Sequence, residues 1–196
     1  MIGNRAHLLA MAEDQVARFI PDLTIKERDL VRTLFFDYLR RGHHGTGWTW
    51  NGCYYSSLEQ TMGFTLYRAT GNADFLNWNW DTIVVTERTM FYANRFLAEQ
   101  IEPGQQVRWL ACRTECQHCR VYEGQRFTVV EPGTPRKDPM TQVWVGKWAD
   151  LSPSGPGPYS AVASCREPVV PLHEHCRCIW THYVELTEAQ QQRLER

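Results

Sequence analysis

"PLHEHCRCIW", residues 171–180, places His173, His175, Cys176 and Cys178 close together in one short run. A second cluster lies upstream in "CRTECQHCR", residues 112–120, where Cys116 and Cys119 stand in a C-x2-C spacing. That spacing lets one tight turn aim both sulfurs at a point about 2.3 Å away, the length of a zinc–sulfur bond. His173 and Cys176 repeat the x2 spacing, and Cys178 follows in C-x-C. The combined pattern C-x2-C … H-x2-C-x-C supplies more candidate ligands than the four places of a tetrahedral zinc site. The expected set is Cys116, Cys119, His173 and Cys176. Cys178 is the substitute, because alternation along an extended strand would turn it away from Cys176.

Thiolates dominate this set, and a filled coordination sphere leaves no place for a substrate, so the expected zinc is structural. It would join the ends of a segment of roughly sixty residues whose loop closure is entropically costly, and metal binding offsets that cost. The plainer alternative is that these are free thiols acting as small hydrophobes. A redox C-x2-C is the weaker option, since no βαβ pattern flanks it. Cys53, Cys112, Cys165, His118 and His175 are left unassigned.

Outward from the clusters, the pattern predicts helices first and strands later. Residues 5–20 read as a helix, with Leu8, Leu9, Met11, Val16, Phe19 and Ile20 roughly on one face and Pro21 as its stop. Thr24 and Glu27 form a capping box for a second helix that stops at Gly42. The glycine- and aromatic-rich stretch 42–55 suggests a loop or an irregular hairpin around Asn51-Gly52. A third helix is expected over 56–71, a connector with buried tryptophans after it, and a long helix over 82–100. Strands are expected at 106–113, within "TQVWVGKW" and in "CIWTHYVEL", with a hairpin over 120–130 turning at Glu123-Gly124. Residues 131–170 are rich in Pro and Gly, and Thr187 is expected to cap a final polar turn. The fold class is therefore α+β. An aromatic-rich helical region (1–81) precedes a small β-rich, zinc-clamped domain entered by a long helix (82–186), followed by a polar tail (187–196).

The chain has 196 residues and is 43% hydrophobic, enough for one well-packed domain or one domain with a helical extension. Its formal net charge of −1 gives no global field to draw it onto nucleic acid. No apolar run suggests a signal peptide or a spanning helix, so a soluble intracellular protein is expected, with no membrane partner. A cytosolic setting argues against a disulfide framework for the seven cysteines.

The order of these motifs resembles the C-terminal domain of Mu F-like minor head proteins, which act in head morphogenesis of tailed bacteriophages. Arg88, Thr89 and Asn94 match the family's helix, Cys116 and Cys119 its cysteine pair, and Gly124 its turn. Pro171, Leu172, His173, Cys176, Arg177 and Cys178 match its ending. The resemblance covers roughly residues 82–184. Glu174-His175 stands where the family usually has Pro-Asn, Glu123 where it often has Asp, and the loop at 131–170 is longer than in compact members. The resemblance implies a structural virion protein, not an enzyme. It implies association with portal and capsid or scaffolding proteins at the portal vertex or capsid interior, and residence in the host cytoplasm during assembly. Contact with genomic DNA during packaging or ejection is implied as well. Arg88 and Asn94 are expected to fix the long helix on the sheet.

Two other classes compete. A His-Asn-His nuclease would need a histidine pair on a strand with a following Asn and His, and His43-His44 sits instead in a glycine-rich stretch. An ADP-ribosyltransferase would need an Arg, a Ser-Thr-Ser stretch and a Glu-x-Glu in order, which "YYSSLEQ" does not supply. A zinc-stabilised nucleic-acid-binding module remains an alternative, with Arg113, Arg120, Arg126 and Arg177 as phosphate contacts.

Overall fold

A computed structural model describes residues 2–18, 20, 22–41, 48–50, 53–55, 58–100, 102–110, 117–147, 168–172 and 176–183. Within them the chain is α+β. In order come α1 (Ile2–Gln15), α2 (Ile25–Arg41), β1 (Trp48–Trp50), β2 (Cys53–Tyr55), α3 (Leu58–Thr70) and a 3-10 turn at Ala73–Leu76. Then follow α4 (Trp80–Gln100), β3 (Gln106–Leu110), α5 (Gln117–Arg120), β4 (Arg126–Val129), β5 (Gln142–Val143) and β6 (Ile179–His182).

Local chemistry sets the helix ends. Thr24 and Glu27 make the expected capping box: the Thr24 N–H donates to Glu27 Oε2 at 2.7 Å, and the Glu27 N–H donates to Thr24 Oγ1 at 3.4 Å. Replacing Thr24 with Ala is expected to cost about 1 kcal/mol of stability, read as a lower urea midpoint at unchanged slope. Asn79 starts α4 two residues earlier than the sequence suggests, accepting the Thr82 N–H on Oδ1 at 3.2 Å. α1 stops at Gln15 rather than running to 20. Ala17 there turns left-handed at φ 60°, and its N–H is taken by the buried carboxylate of Glu87 on α4 at 2.9 Å. A long-range acceptor thus replaces the next helical turn, and Ile20 still enters the core.

β1 and β2 pair antiparallel with Trp50 opposite Cys53, so the hairpin expected around Asn51-Gly52 forms with a two-residue connection. The larger sheet runs β5-β4-β3-β6. β3 is antiparallel to both neighbours, while β4 and β5 are parallel. The hairpin expected within 120–130 is corrected here. β4 pairs with β3, Arg126 opposite Arg108, and residues 117–124 form α5 and a turn instead of a strand. Gly124, at φ +74°, makes that turn: its N–H donates to the Trp109 carbonyl at 3.0 Å, and the Trp109 N–H returns to Gln125 at 3.0 Å.

Two apolar cores result. One gathers Ile20, Leu34, Phe35, Leu58, Met62 and Leu66 with the first half of α4. The other lies between α1, the second half of α4 and the sheet, and holds Trp109, Phe127 and Trp180 with three cysteines. α4 therefore joins the two regions that the sequence divides at 81/82. The expected turn at 187–196 lies outside the described residues.

Candidate metal centre

The second core brings together residues from both clusters. α5 carries Cys119, and the segment entering β6 carries Cys176 and Cys178. All three are fully buried, and their sulfurs lie within 4.8 Å of one another. Cys119 and Cys176 are 57 positions apart in the chain, yet their sulfurs stand 3.8 Å apart as free thiols. That is a hydrogen-bonding distance and far longer than a disulfide bond.

The local fold explains the convergence. β3 and β6 are neighbours, with Trp109 opposite Trp180 and Leu110 opposite Ile179. The chain leaving β3 and the chain entering β6 therefore lie at the same end of the sheet. Trp109 packs edge-to-face on Trp180 at 5.2 Å, in the same buried cluster as the three cysteines. The expected orientation of Cys178, away from Cys176, is corrected. β6 begins only at Ile179, so residues 176–178 are not subject to strand alternation, and Cys178 turns into the cluster. Cys116 and His173, the other two expected ligands, lie outside the described residues.

Three thiols in an apolar pocket cannot all ionise without a cation. Cys119 is pushed strongly up, first by donating to Cys176, then by Cys178 and by burial. Cys176 is pulled down because it accepts from Cys119 and then Cys178, against burial, with the backbone N–H groups of Cys178 and Leu172 adding. The two thiols are therefore pushed in opposite directions, Cys119 toward the protonated form and Cys176 toward the thiolate. N–H groups directed at a sulfur are the outer-shell support that a metal-bound thiolate needs. The three cysteines lie close enough to bind a metal ion, and a divalent cation would take the place of the shared protons.

α4 supports the centre from behind. Asn94, buried, accepts the Gly146 N–H on Oδ1 at 2.8 Å, tying α4 to the segment after β5. Gly146 sits at φ +85°, and an added Cβ would come within 3.2 Å of Gln15 Nε2. The sequence expectation of a packing role for Asn94 therefore has a structural counterpart. Arg88 differs: its side chain is exposed and lines a groove beside β6. That groove left no signal in the sequence, because it depends on the approach of α4 to one strand edge. Among the described residues no helix is long and apolar enough to cross a membrane.

Compared with known proteins, the chain matches no family model, no curated protein and no solved structure.

Proposed function

We propose that this chain is a structural minor head protein of a tailed phage, whose sheet is clamped by one zinc ion. One observation carries the reading. Residues that give the sequence its resemblance to Mu F-like proteins — Asn94, Cys119, Gly124, Cys176 and Cys178 — meet around a single core. A tetrahedral zinc with bonds of about 2.3 Å sets its sulfurs about 3.8 Å apart. The Cys119–Cys176 separation of 3.8 Å fits that edge. Cys119, Cys176 and Cys178 would hold the ion, with Cys116 or His173 as the fourth ligand. The zinc supplies cross-linking and charge neutralisation, and no residue is assigned a catalytic role.

In this reading the chain works in head morphogenesis at the portal vertex or capsid interior. It associates there with portal, capsid and scaffolding proteins after assembly in the host cytoplasm. Freshly reduced protein is expected to carry about one zinc per chain by elemental mass spectrometry. Co-expressed with portal, scaffolding and major capsid proteins, it is expected to sediment with procapsids in low copy. Zinc-free protein would remove the clamp, and exclusion from procapsids would remove the head role.

A second reading, a zinc-stabilised nucleic-acid-binding protein, is favoured by one feature of the outer sheet face. Arg108 and Arg126 stand directly opposite one another across β3 and β4. Neither forms an ion pair among the described residues, and Arg126 lies over the Tyr183 ring at 4.4 Å. Like charges held face to face suit a phosphate backbone. DNA binding that weakens steeply with salt and with Arg108→Ala would support contact with the genome.

A further inference from the structure

β6 ends the sheet, and among the described residues no strand pairs with its far side. Hydrogen bonding along β6 alternates. Tyr183 donates to the Gln106 carbonyl at 3.2 Å, so the register turns the polar backbone groups of Ile179 and Thr181 toward β3. The N–H and C=O groups of Trp180 and His182 then point away from β3, to the side where no strand pairs among the described residues. A cavity of about 390 Å³ opens beside Trp180, at the start of that edge. The strand side of its wall consists of four consecutive residues, 177–180. Ile179 is exposed and Trp180 buried, on opposite faces of β6, so a wall that uses both runs along the strand's edge rather than over one face.

The opposite wall is a stripe of α4 that includes Arg88, Tyr92 and Phe96. Tyr92 is 47% exposed and Ile179 across the groove is 50% exposed, so both sides offer apolar surface to the opening. Arg88 and Arg177 bring positive charge, and no acidic side chain lines the groove among the described residues. Arg88 forms no ion pair among the described residues.

We propose that this groove takes an extended, acidic segment of a partner polypeptide, which adds to the sheet as a strand beside β6. The main chain of the segment would bond to the open groups of Trp180 and His182. Its apolar side chains would settle between Tyr92, Phe96 and Ile179, and its carboxylate would meet Arg88. Among the described residues this edge has no partner strand; such an edge is otherwise a site of uncontrolled pairing, and a charged groove selects against neutral strands. The inference rests on the groove alone and is independent of the head-protein reading.

The test uses the full chain as purified under reducing conditions and two labelled heptapeptide pools. Both alternate Val or Ile with Thr; one carries a single Asp at varied positions and the other carries Asn instead. The Asp pool is expected to bind at least ~10-fold more tightly by fluorescence anisotropy, and Arg88→Glu is expected to remove that preference. Amide hydrogen exchange gives the second readout. Trp180 and His182 should slow on binding, while Ile179 and Thr181, already bonded to β3, should not change. Equal binding of the two pools overturns the proposal, as does an unchanged Arg88→Glu variant. Binding that leaves the Trp180 and His182 amides exchanging as before also overturns it, since docking would then not extend the sheet. Because only synthetic peptides are used, failure here leaves the virion role intact, and exclusion from procapsids leaves the groove intact.

Discussion

On the proposed zinc clamp, Cys176→Ser is expected to release the metal and to unfold the sheet half of the protein. Cys176 stands at the centre of the cluster: it accepts from the Cys119 and Cys178 thiols and from the N–H groups of Cys178 and Leu172. Serine offers a harder donor that stays protonated at neutral pH, so the ion loses a ligand and the N–H groups lose their anion. Structural zinc contributes apparent binding energies of about 10–16 kcal/mol in small zinc domains, and that energy is folding energy. A whole domain is stable by only about 5–15 kcal/mol, so even part of this loss is decisive. The checks are zinc content and the dispersion of Val107, Trp109, Phe127 and Trp180 resonances in NMR spectra. Cys178→Ser should behave the same way, because its sulfur lies in the same cluster. Buried thiols without a metal would give a different result: no zinc in the native protein, and a loss of only about 1–3 kcal/mol in the Cys176→Ser variant.

Much of the layout follows from periodicity, and the departures have identifiable causes. Helices α1 to α4 form in the expected order and places apart from their ends, α1 stopping five residues early and α4 beginning two residues early. β3 and β6 are likewise marked by alternation, with Val107, Trp109 and Trp180 buried and their neighbours outward. The segment 120–125 misleads because Tyr122 is half-buried against Trp109, with ring centroids 5.2 Å apart. It supplies a strand-like apolar signal from a turn. The partner of β4 is a strand earlier in the chain, and pairing of that kind leaves no local mark. The parallel β4–β5 contact is only two residues long on the β5 side, too short to carry a period. Clustering at the cysteines is legible from spacing, since C-x2-C and C-x-C bring donors together within one turn. The inclusion of Cys178 is not, because it depends on where β6 begins. Glu87 was equally hidden: a glutamate in a helix reads as solvated, and only the approach of α1 gives its carboxylate the Ala17 N–H.

Trp109→Ala is expected to cost about 3–5 kcal/mol, the range for emptying a large aromatic site. Trp109 is fully buried on β3, and its ring meets Tyr122, Phe127 and Trp180 at centroid distances of 5.2, 6.5 and 5.2 Å. It therefore fills part of the core that also holds the three cysteines, and its loss opens a cavity that three aromatic neighbours cannot collapse into without leaving their own contacts. Trp109→Phe separates volume from polarity. The indole Nε1 is buried with no acceptor among the described residues, so phenylalanine removes an unsatisfied donor while shrinking the ring. The two effects oppose each other, and the net cost is expected to stay under about 1.5 kcal/mol. Urea denaturation of both variants in the metal-loaded state checks the ordering. If Trp109→Phe proved as damaging as Trp109→Ala, the indole N–H would be holding an acceptor, and the packing argument for this core would fail. If both were mild, the aromatic cluster would not support the sulfurs at all, and the clamp would have to hold the sheet by the metal alone.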